Sequence, residues 1–326
     1  MRLVFLGTPE FAVESLEAII AAGHDVAAVV TMPDKPAGRG HKLYSSPVKE
    51  CALAHGIKVL QPVRLKDPEF VEELRSLQAH LFVVIAFRML PEVVWSMPPL
   101  GTFNLHASLL PRYRGAAPIN RAVMNGDTVT GVTTFFLKHE IDTGDIIQQE
   151  SVEILPDDNV GDVHDRLMHL GARLTVETIN AIEQGTLTPI PQDQLIGDTE
   201  PTPAPKIFKE DCEIDWQLPA EQIRNHVRGL SPYPAAWSTL ESDTTAPAAI
   251  KIFEVAHIAP ETTEEASPAL APGEILIDGD TMTVGTGTTP LRILSLQAPG
   301  KRRVATPDYL RGARLLHPRF STTHPQ

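Results

Sequence analysis

Cysteine is nearly missing from this chain: Cys51 and Cys212 are the only two in 326 residues. Two thiols are too few for a disulfide framework or a cysteine-built zinc site. They suit a reducing cytosol, so a cytoplasmic location is expected. Aromatic residues make up 6% of the chain, so aliphatic side chains must build most of any core. Positive charge is short as well. Lys and Arg total 28 against 41 Asp and Glu, a net charge of −13. That excludes a general nucleic-acid coat, which needs local positive charge, and leaves room only for a local basic patch. Long apolar runs are absent. The longest, Leu81 to Phe87, falls far short of the roughly 20 residues of a membrane helix. The opening Met1 to Gly7 is apolar too briefly for a signal peptide. No membrane partner is expected. Gly7-Thr8-Pro9 is not a dinucleotide fingerprint, and no phosphate loop is present.

What the chain does contain is ordinary globular composition, with 42% hydrophobic and 21% charged residues. Its first half alternates strand and helix signals. Leu3 to Leu6, Val26 to Val30, Leu81 to Phe87 and Phe103 to Ala107 read as strands, as do Thr130 to Leu137 and Ile146 to Ile154. Pro9 to Ala22, Val48 to His55, Pro118 to Asn125 and Val160 to Gln184 read as helices. Strands recurring between helices predict a doubly wound parallel sheet. Thr186 to Pro205 then holds five prolines in twenty residues, which predicts a stiff extended linker. Beyond it come one helix, Ala220 to Leu230, and short strands at Ala249 to Val255, Gly273 to Ile277, Met282 to Val284 and Leu291 to Leu296. Asp278-Gly279-Asp280 is a hairpin signal. The expected organisation is an α/β domain over 1–185, a proline-rich linker over 186–205, and a small β-barrel over 206–326.

Gly101 to Arg121 is the densest stretch of chemistry. Asn104 and His106 lie two apart on a strand and so share one face. An amide and an imidazole there are either hydrogen-bonded core groups or face a substrate at the strand's carboxyl end. Ser108-Leu109-Leu110-Pro111 follows as a shaped loop whose backbone groups can meet a flat heterocycle. In Glu140 to Asp145, Asp142 can orient His106, take a proton, or merely satisfy turn amides. Asp-Thr-Gly also occurs in aspartic proteases, but a pepsin-like chain would carry the motif twice. His164, Asp165 and His169 are poorly spaced as metal ligands, and no metal is expected.

Basic residues cluster twice. Lys35, Arg39, Lys42 and Lys49 occur with no acid between 35 and 49. Lys301, Arg302, Arg303, Arg311, Arg314 and Arg319 are opposed only by Asp308. A basic loop plus a basic β-barrel can grip a phosphate backbone.

These blocks together resemble the methionyl-tRNA formyltransferase family over nearly the full length. They are Phe5-Leu6-Gly7-Thr8-Pro9, the Pro33 to Gly40 loop, Ser46 to Lys49, Asn104-Leu105-His106, Ser108 to Ile119, Asp142 to Asp145, Ile214-Asp215-Trp216 and Pro232-Tyr233-Pro234. The resemblance implies a Rossmann-like formyltransferase domain followed by an OB-like barrel. It implies formyl transfer from 10-formyltetrahydrofolate, as co-substrate, to the amino group of initiator methionyl-tRNA. Asn104, His106 and Asp142 match the family's catalytic trio, and Ser108, Leu109, Leu110 and Pro111 its folate-contacting segment. Lys35, Arg39, Lys42 and Lys49 match the insertion that meets tRNA, with Arg39 the best contact. A monomer is expected. Related acceptors are an aminosugar nucleotide, in sugar-nucleotide N-formyltransferases, and water, in formyltetrahydrofolate hydrolases. Two segments depart from the family: Phe87 to Pro91, beside the expected folate pocket, and the polar Lys138 to Ile141 ahead of Asp142.

Overall fold

Leu3, Val4, Phe5 and Leu6 have no exposed surface, and Leu81 through Ile85 are buried without a break. Strands apolar at every position form where both faces of a sheet are covered. In the computed structural model, which describes residues 1–37, 42–195, 201–258 and 270–321, these segments form the centre of a seven-stranded sheet. Its strands are β1 (Arg2–Gly7), β2 (Asp25–Val30), β3 (Val59–Leu60), β4 (Leu81–Ile85), β5 (Thr102–His106), β6 (Val129–Phe136) and β7 (Ile146–Glu153). The spatial order is β7-β6-β5-β4-β1-β2-β3. The five strands from β3 to β5 are parallel, while β6 and β7 pair antiparallel along the β5 edge. The sheet is therefore Rossmann-like with an antiparallel extension. β4 stops at Ile85 rather than at Phe87, because Ala86 turns into the left-handed region with φ 47°.

Local sequence explains the helix starts. Ser46 accepts the Lys49 N–H at 3.2 Å, with Pro47 in the first turn of Pro47–Ala54. Asp67 caps Pro68–Ser76 in the same way, accepting from Glu69 N–H at 3.1 Å. That helix escapes a reading by apolar runs, since its buried face is only Phe70, Val71 and Leu74. In the long helix Val160–Gln184, Gly171 has a purpose: a Cβ there would lie 2.6 Å from the Leu105 side chain on β5.

The chain divides into two compact units. The first comprises Met1–Pro118, Val129–Glu153 and His164–Pro205. The second comprises Lys206–Gln326 together with Ile119–Thr128 and Ile154–Val163, two segments that a single break at 185 does not anticipate. The proline-rich segment also differs from a bare linker. Ile190 bridges Ile146, Gln192–Leu195 forms a 3-10 turn, and Pro203–Ala204 pairs in parallel with Arg114–Gly115. Proline removes donors but leaves carbonyls and neighbouring side chains free to pair.

The second unit is an antiparallel barrel. Its strands are β8 (Ala236–Ser242), β9 (Thr245–His257), β10 (Ile275–Asp278), β11 (Thr281–Val284), β12 (Leu291–Gln297), β13 (Val304–Ala305) and β14 (Arg319–Phe320). They run β10-β11-β12-β9-β8-β14, with β13 on β12. Arg319 bridges Glu274 and Phe320 N–H donates to the Gly273 carbonyl at 2.8 Å, so the sheet nearly closes on itself. Trp216 is fully buried, stacked on Phe320 at 5.1 Å between centroids, and donates to Ser238 Oγ at 3.0 Å. That bond explains β8, which apolar periodicity alone passes over: buried Ser238 breaks the pattern and is satisfied by the indole.

Both cysteines are free and buried. Burial pushes the Cys51 thiol up to about 12, helped by its bond to Glu17. A thiol raised above its unfolded value stabilises the fold below that value, and the contribution disappears as pH rises through the folded one. The window is therefore between about pH 9 and about pH 12. Between pH 8 and pH 10.5 the urea midpoint of Cys51→Ala is expected to fall less than that of the parent chain. Parallel falls would show that this thiol carries no alkaline linkage.

Candidate active site

β5 delivers Asn104 and His106 to one face at its carboxyl end, and the next residues hold the imidazole. His106 is buried, 6% exposed, and its Nε2 lies 2.8 Å from the Tyr113 carbonyl. A carbonyl only accepts, so Nε2 carries the hydrogen and the neutral ring presents Nδ1 bare. Nδ1 lies 3.9 Å from Asp142 Oδ2. Asn104 Oδ1 is buried with no hydrogen-bond partner among the described residues. A buried acceptor left open on this face is what a bound reactant would satisfy.

The loop after β5 is locked from within. Ser108 Oγ, with no exposed surface, donates to the Arg112 carbonyl at 2.7 Å. Thr133 Oγ1 donates to the Ser108 carbonyl at 2.6 Å and accepts the Leu110 N–H at 3.2 Å. Gln149 Nε2 donates to the Leu110 carbonyl at 2.7 Å. The Leu109 carbonyl accepts Arg112 N–H at 3.1 Å. Ser108, Leu110 and Pro111 are buried and Leu109 is half-buried. The carbonyls of 108, 109 and 110 are thus engaged internally, which leaves side chains and N–H groups as the means by which this segment can meet a heterocycle. Tyr113, with φ 60°, is held by Thr202 Oγ1, which accepts its N–H at 3.2 Å.

Asp142 reaches the site on a turn between β6 and β7. Its φ is 54°, a left-handed conformation that Asp tolerates better than most residues. Its Oδ2 accepts the Gly115 N–H at 2.9 Å. The carboxylate therefore satisfies an amide of the loop after β5, rather than of its own turn, and also faces the imidazole. Gly144 is required behind it, because a Cβ there would lie 1.5 Å from the Phe136 carbonyl oxygen. Gln192 closes the assembly: its Nε2 donates to the carbonyls of Asp142 at 2.9 Å and Gly144 at 2.8 Å. Tyr113, Thr133, Gln149 and Gln192 escape sequence reasoning because each acts through a backbone group or from a distant segment.

Two cavities lie along the neighbouring segments, and neither is lined by Asn104, His106, Ser108 to Tyr113 or Asp142. One, about 580 Å³, is lined by Arg64, Leu65, Lys66, Leu90, Trp95 and His139 among others, between the segments after β3 and β4 and the one leading to Asp142. Arg88 on its wall donates to the Pro62 and Val63 carbonyls at 2.5 and 2.9 Å. The other, about 360 Å³, lies against Arg114, Lys138, Thr143 and Gln192.

The candidate tRNA residues separate. Lys35–Ala37 and Lys42–Tyr44 pair antiparallel, with Lys35 exposed. Arg39 lies outside the described residues, and so does the side chain of Lys42. Lys49 is not a free cation: its Nζ pairs with Asp34 Oδ2 at 2.5 Å, and Gln61 donates to Asp34 Oδ1 at 2.8 Å. Those bonds, the Lys49 one first, lower the Asp34 pKa. A charge count beginning at residue 35 misses this partner by one position. In the C-terminal basic stretch, Arg319 pairs with Glu241 at 2.7 Å and Arg303 with Glu254 at 3.7 Å, and Arg311 pairs with Asp308. Among the described residues, Glu17, Cys51 and His55 bring three ligand-type atoms within 4.8 Å of one another. Their own bonds occupy them, Cys51 to Glu17 at 3.2 Å and His55 to Glu17 at 2.8 Å.

Comparison with known proteins identifies the family of both parts of the chain. Residues 1–179 match the formyl transferase family, and 206–314 match the formyl transferase C-terminal domain. A methionyl-tRNA formyltransferase of Bacteroides fragilis is 55% identical over 316 residues, covering 97% of this chain and 96% of that one. One from Porphyromonas gingivalis is 47% identical over 312 residues, covering 96% and 95%. The fold is shared with an N-formyltransferase of Helicobacter canadensis solved with folinic acid and dTDP-3-aminofucose, at TM-score 0.63, 20% identity and coverage of 91% and 98%. It is shared too with HypX of Aquifex aeolicus solved with tetrahydrofolic acid, at TM-score 0.61 and 18% identity, covering 95% of this chain and 47% of that one. The chain belongs to the formyl transferase family, and within it to the methionyl-tRNA formyltransferases.

Proposed function

We propose that the protein transfers a formyl group from 10-formyltetrahydrofolate to the free amino group of initiator methionyl-tRNA, acting as a cytoplasmic monomer in translation initiation. The observation that carries the chemistry is His106, with Nε2 spent on Tyr113 and Nδ1 turned toward Asp142, beside Asn104, whose Oδ1 has no partner among the described residues. The acceptor follows from identity above 50% over the full length to enzymes named for that acceptor, which favours it over an aminosugar nucleotide or water.

The amine attacks the formyl carbon, a carbon–nitrogen bond forms, and an oxyanion develops. Asn104 Nδ2 donates to that oxygen, an interaction typically worth about 3 kcal/mol of barrier. As the tetrahedral centre collapses, the bond to the folate nitrogen breaks. His106, protonated at Nδ1, supplies the proton that this nitrogen takes up. Asp142, while ionised, stabilises this imidazolium form of the ring; it takes up the proton released by the amine, and passing that proton to the bare Nδ1 afterwards restores both groups for the next turnover. Because Tyr113 fixes the tautomer, Asp142 is not needed to orient the ring and is free for proton transfer.

The 580 Å³ cavity suits a folate: Leu65, Leu90 and Trp95 offer apolar surface to a heterocycle, and Arg64 and Lys66 offer cations to glutamate carboxylates. Ser108 to Pro111 contact the folate through the half-buried Leu109. Lys35, Arg39 and Lys42 meet the tRNA phosphates, while Lys49 anchors the base of the loop through Asp34. The second unit helps to hold the tRNA.

His106→Ala and Asp142→Ala are each expected to lower kcat at least 100-fold while folate binding, measured by fluorescence titration, changes less than about threefold. Near-normal turnover in either would sink the assignment of roles. Arg39→Ala is expected to raise KM for tRNA and to flatten its dependence on salt, with folate affinity unchanged. Identical tRNA kinetics across a salt series would refute that contact.

A further inference from the structure

Gln192 lies in the proline-rich segment, far in sequence from the candidate catalytic residues. It is polar, 3% exposed, and fully employed. Its Nε2 donates to two carbonyls of one turn, those of Asp142 at 2.9 Å and Gly144 at 2.8 Å. Its Oε1 accepts from Arg114 Nε at 3.1 Å and Nη2 at 2.7 Å. Arg114 precedes Gly115, whose N–H donates to Asp142 Oδ2 at 2.9 Å. One primary amide therefore ties the backbone that carries Asp142 to the backbone that fixes its carboxylate. The turn's other bonds lie on either side of these carbonyls: Phe136 N–H donates to the Asp145 carbonyl at 3.0 Å, Lys138 pairs with Asp145 at 2.6 Å, and Thr143 Oγ1 donates to the Glu140 carbonyl at 3.1 Å, while Ile141 is 62% exposed and Asp142 sits at φ 54°.

We propose that Gln192 is a positioning residue for formyl transfer, setting the distance between the Asp142 carboxylate and His106 Nδ1. The assignment rests on the functional reading above and deepens it. Only a side chain with two donor hydrogens on one side and an acceptor on the other meets all the groups present. A carboxylate at 192 keeps Arg114 but turns oxygen toward two carbonyl oxygens. A thioether keeps the volume and leaves two carbonyls and a guanidinium unpaired. Either change lets the Asp142 turn relax by a fraction of an ångström to an ångström, which general acid–base geometry does not tolerate.

The test uses the full-length protein with Gln192→Met and Gln192→Glu, and the same changes in an Asp142→Asn background. Each single variant is expected to lose kcat by about 100-fold with KM for folate and tRNA within about twofold. In the Asp142→Asn background the further loss is expected to be under about twofold, since the residue acts through the one already disabled. Multiplying losses, an effect on KM alone, or unchanged kcat would each overturn the proposal. If Gln192→Met does not fold, Gln192→Glu carries the test, because it retains the bond to Arg114. Hydrogen exchange at the Gly115 amide provides a readout independent of turnover. Exchange there is expected to accelerate in both variants as it does in Asp142→Ala, with the β1 amides unchanged. Parent-like exchange at Gly115 would overturn the positioning role. Parent protein that fails to formylate methionyl-tRNA, with Gly115 still sensitive to Gln192, would instead remove the functional reading.

Discussion

The hydrogen bond from His106 Nε2 to the Tyr113 carbonyl decides what the rest of the site can do. It selects one tautomer, turns Nδ1 toward the carboxylate of Asp142, and fixes the ring plane at the end of β5. The loop from Ser108 to Tyr113 serves that bond. The carbonyls of 108, 109 and 110 accept from Thr133 Oγ1, the Arg112 N–H and Gln149 Nε2, and that of 112 accepts from Ser108 Oγ, which holds the backbone leading into Tyr113. A buried, fully satisfied network of this kind rigidifies the groups at its edge. The edge is where Asn104 leaves an acceptor open.

The sheet explains why this end of the molecule is used. Parallel strands from β3 to β5 bring their carboxyl ends to one side, where open α/β sheets bind ligands. The antiparallel β6 and β7 then return the chain beside β5, so the turn between them reaches the same edge. Asp142 arrives by that return, from a part of the chain that no strand–helix alternation would place there.

Much of this was legible in the sequence. Apolar runs located β1 and β4 within two residues, because burial on both faces leaves a plain signal, and the pattern placed β2 and the long helix equally well. Asn104 and His106 were legible from their spacing of two. The left-handed Ala86 was not, nor was β8, where a buried Ser238 needs Trp216 to make sense. The proline-rich segment misled in a specific way. Proline count speaks to stiffness, while Gln192 and Thr202 in the same stretch act through side chains that meet residues about 50 to 90 positions away. The charge count likewise left out Asp34, the partner of Lys49, which lay just outside the counted window.

The central claim is that this constellation moves a formyl group onto methionyl-tRNA. It is tested most directly by supplying purified protein with 10-formyltetrahydrofolate and methionyl-initiator tRNA, with methionyl-elongator tRNA in parallel, and measuring formylmethionine. Rapid formylation of the initiator, with the elongator left largely unmodified, is the result expected. No formylation of either tRNA by folded protein with active donor would contradict the account and move the acceptor to an aminosugar nucleotide or to water.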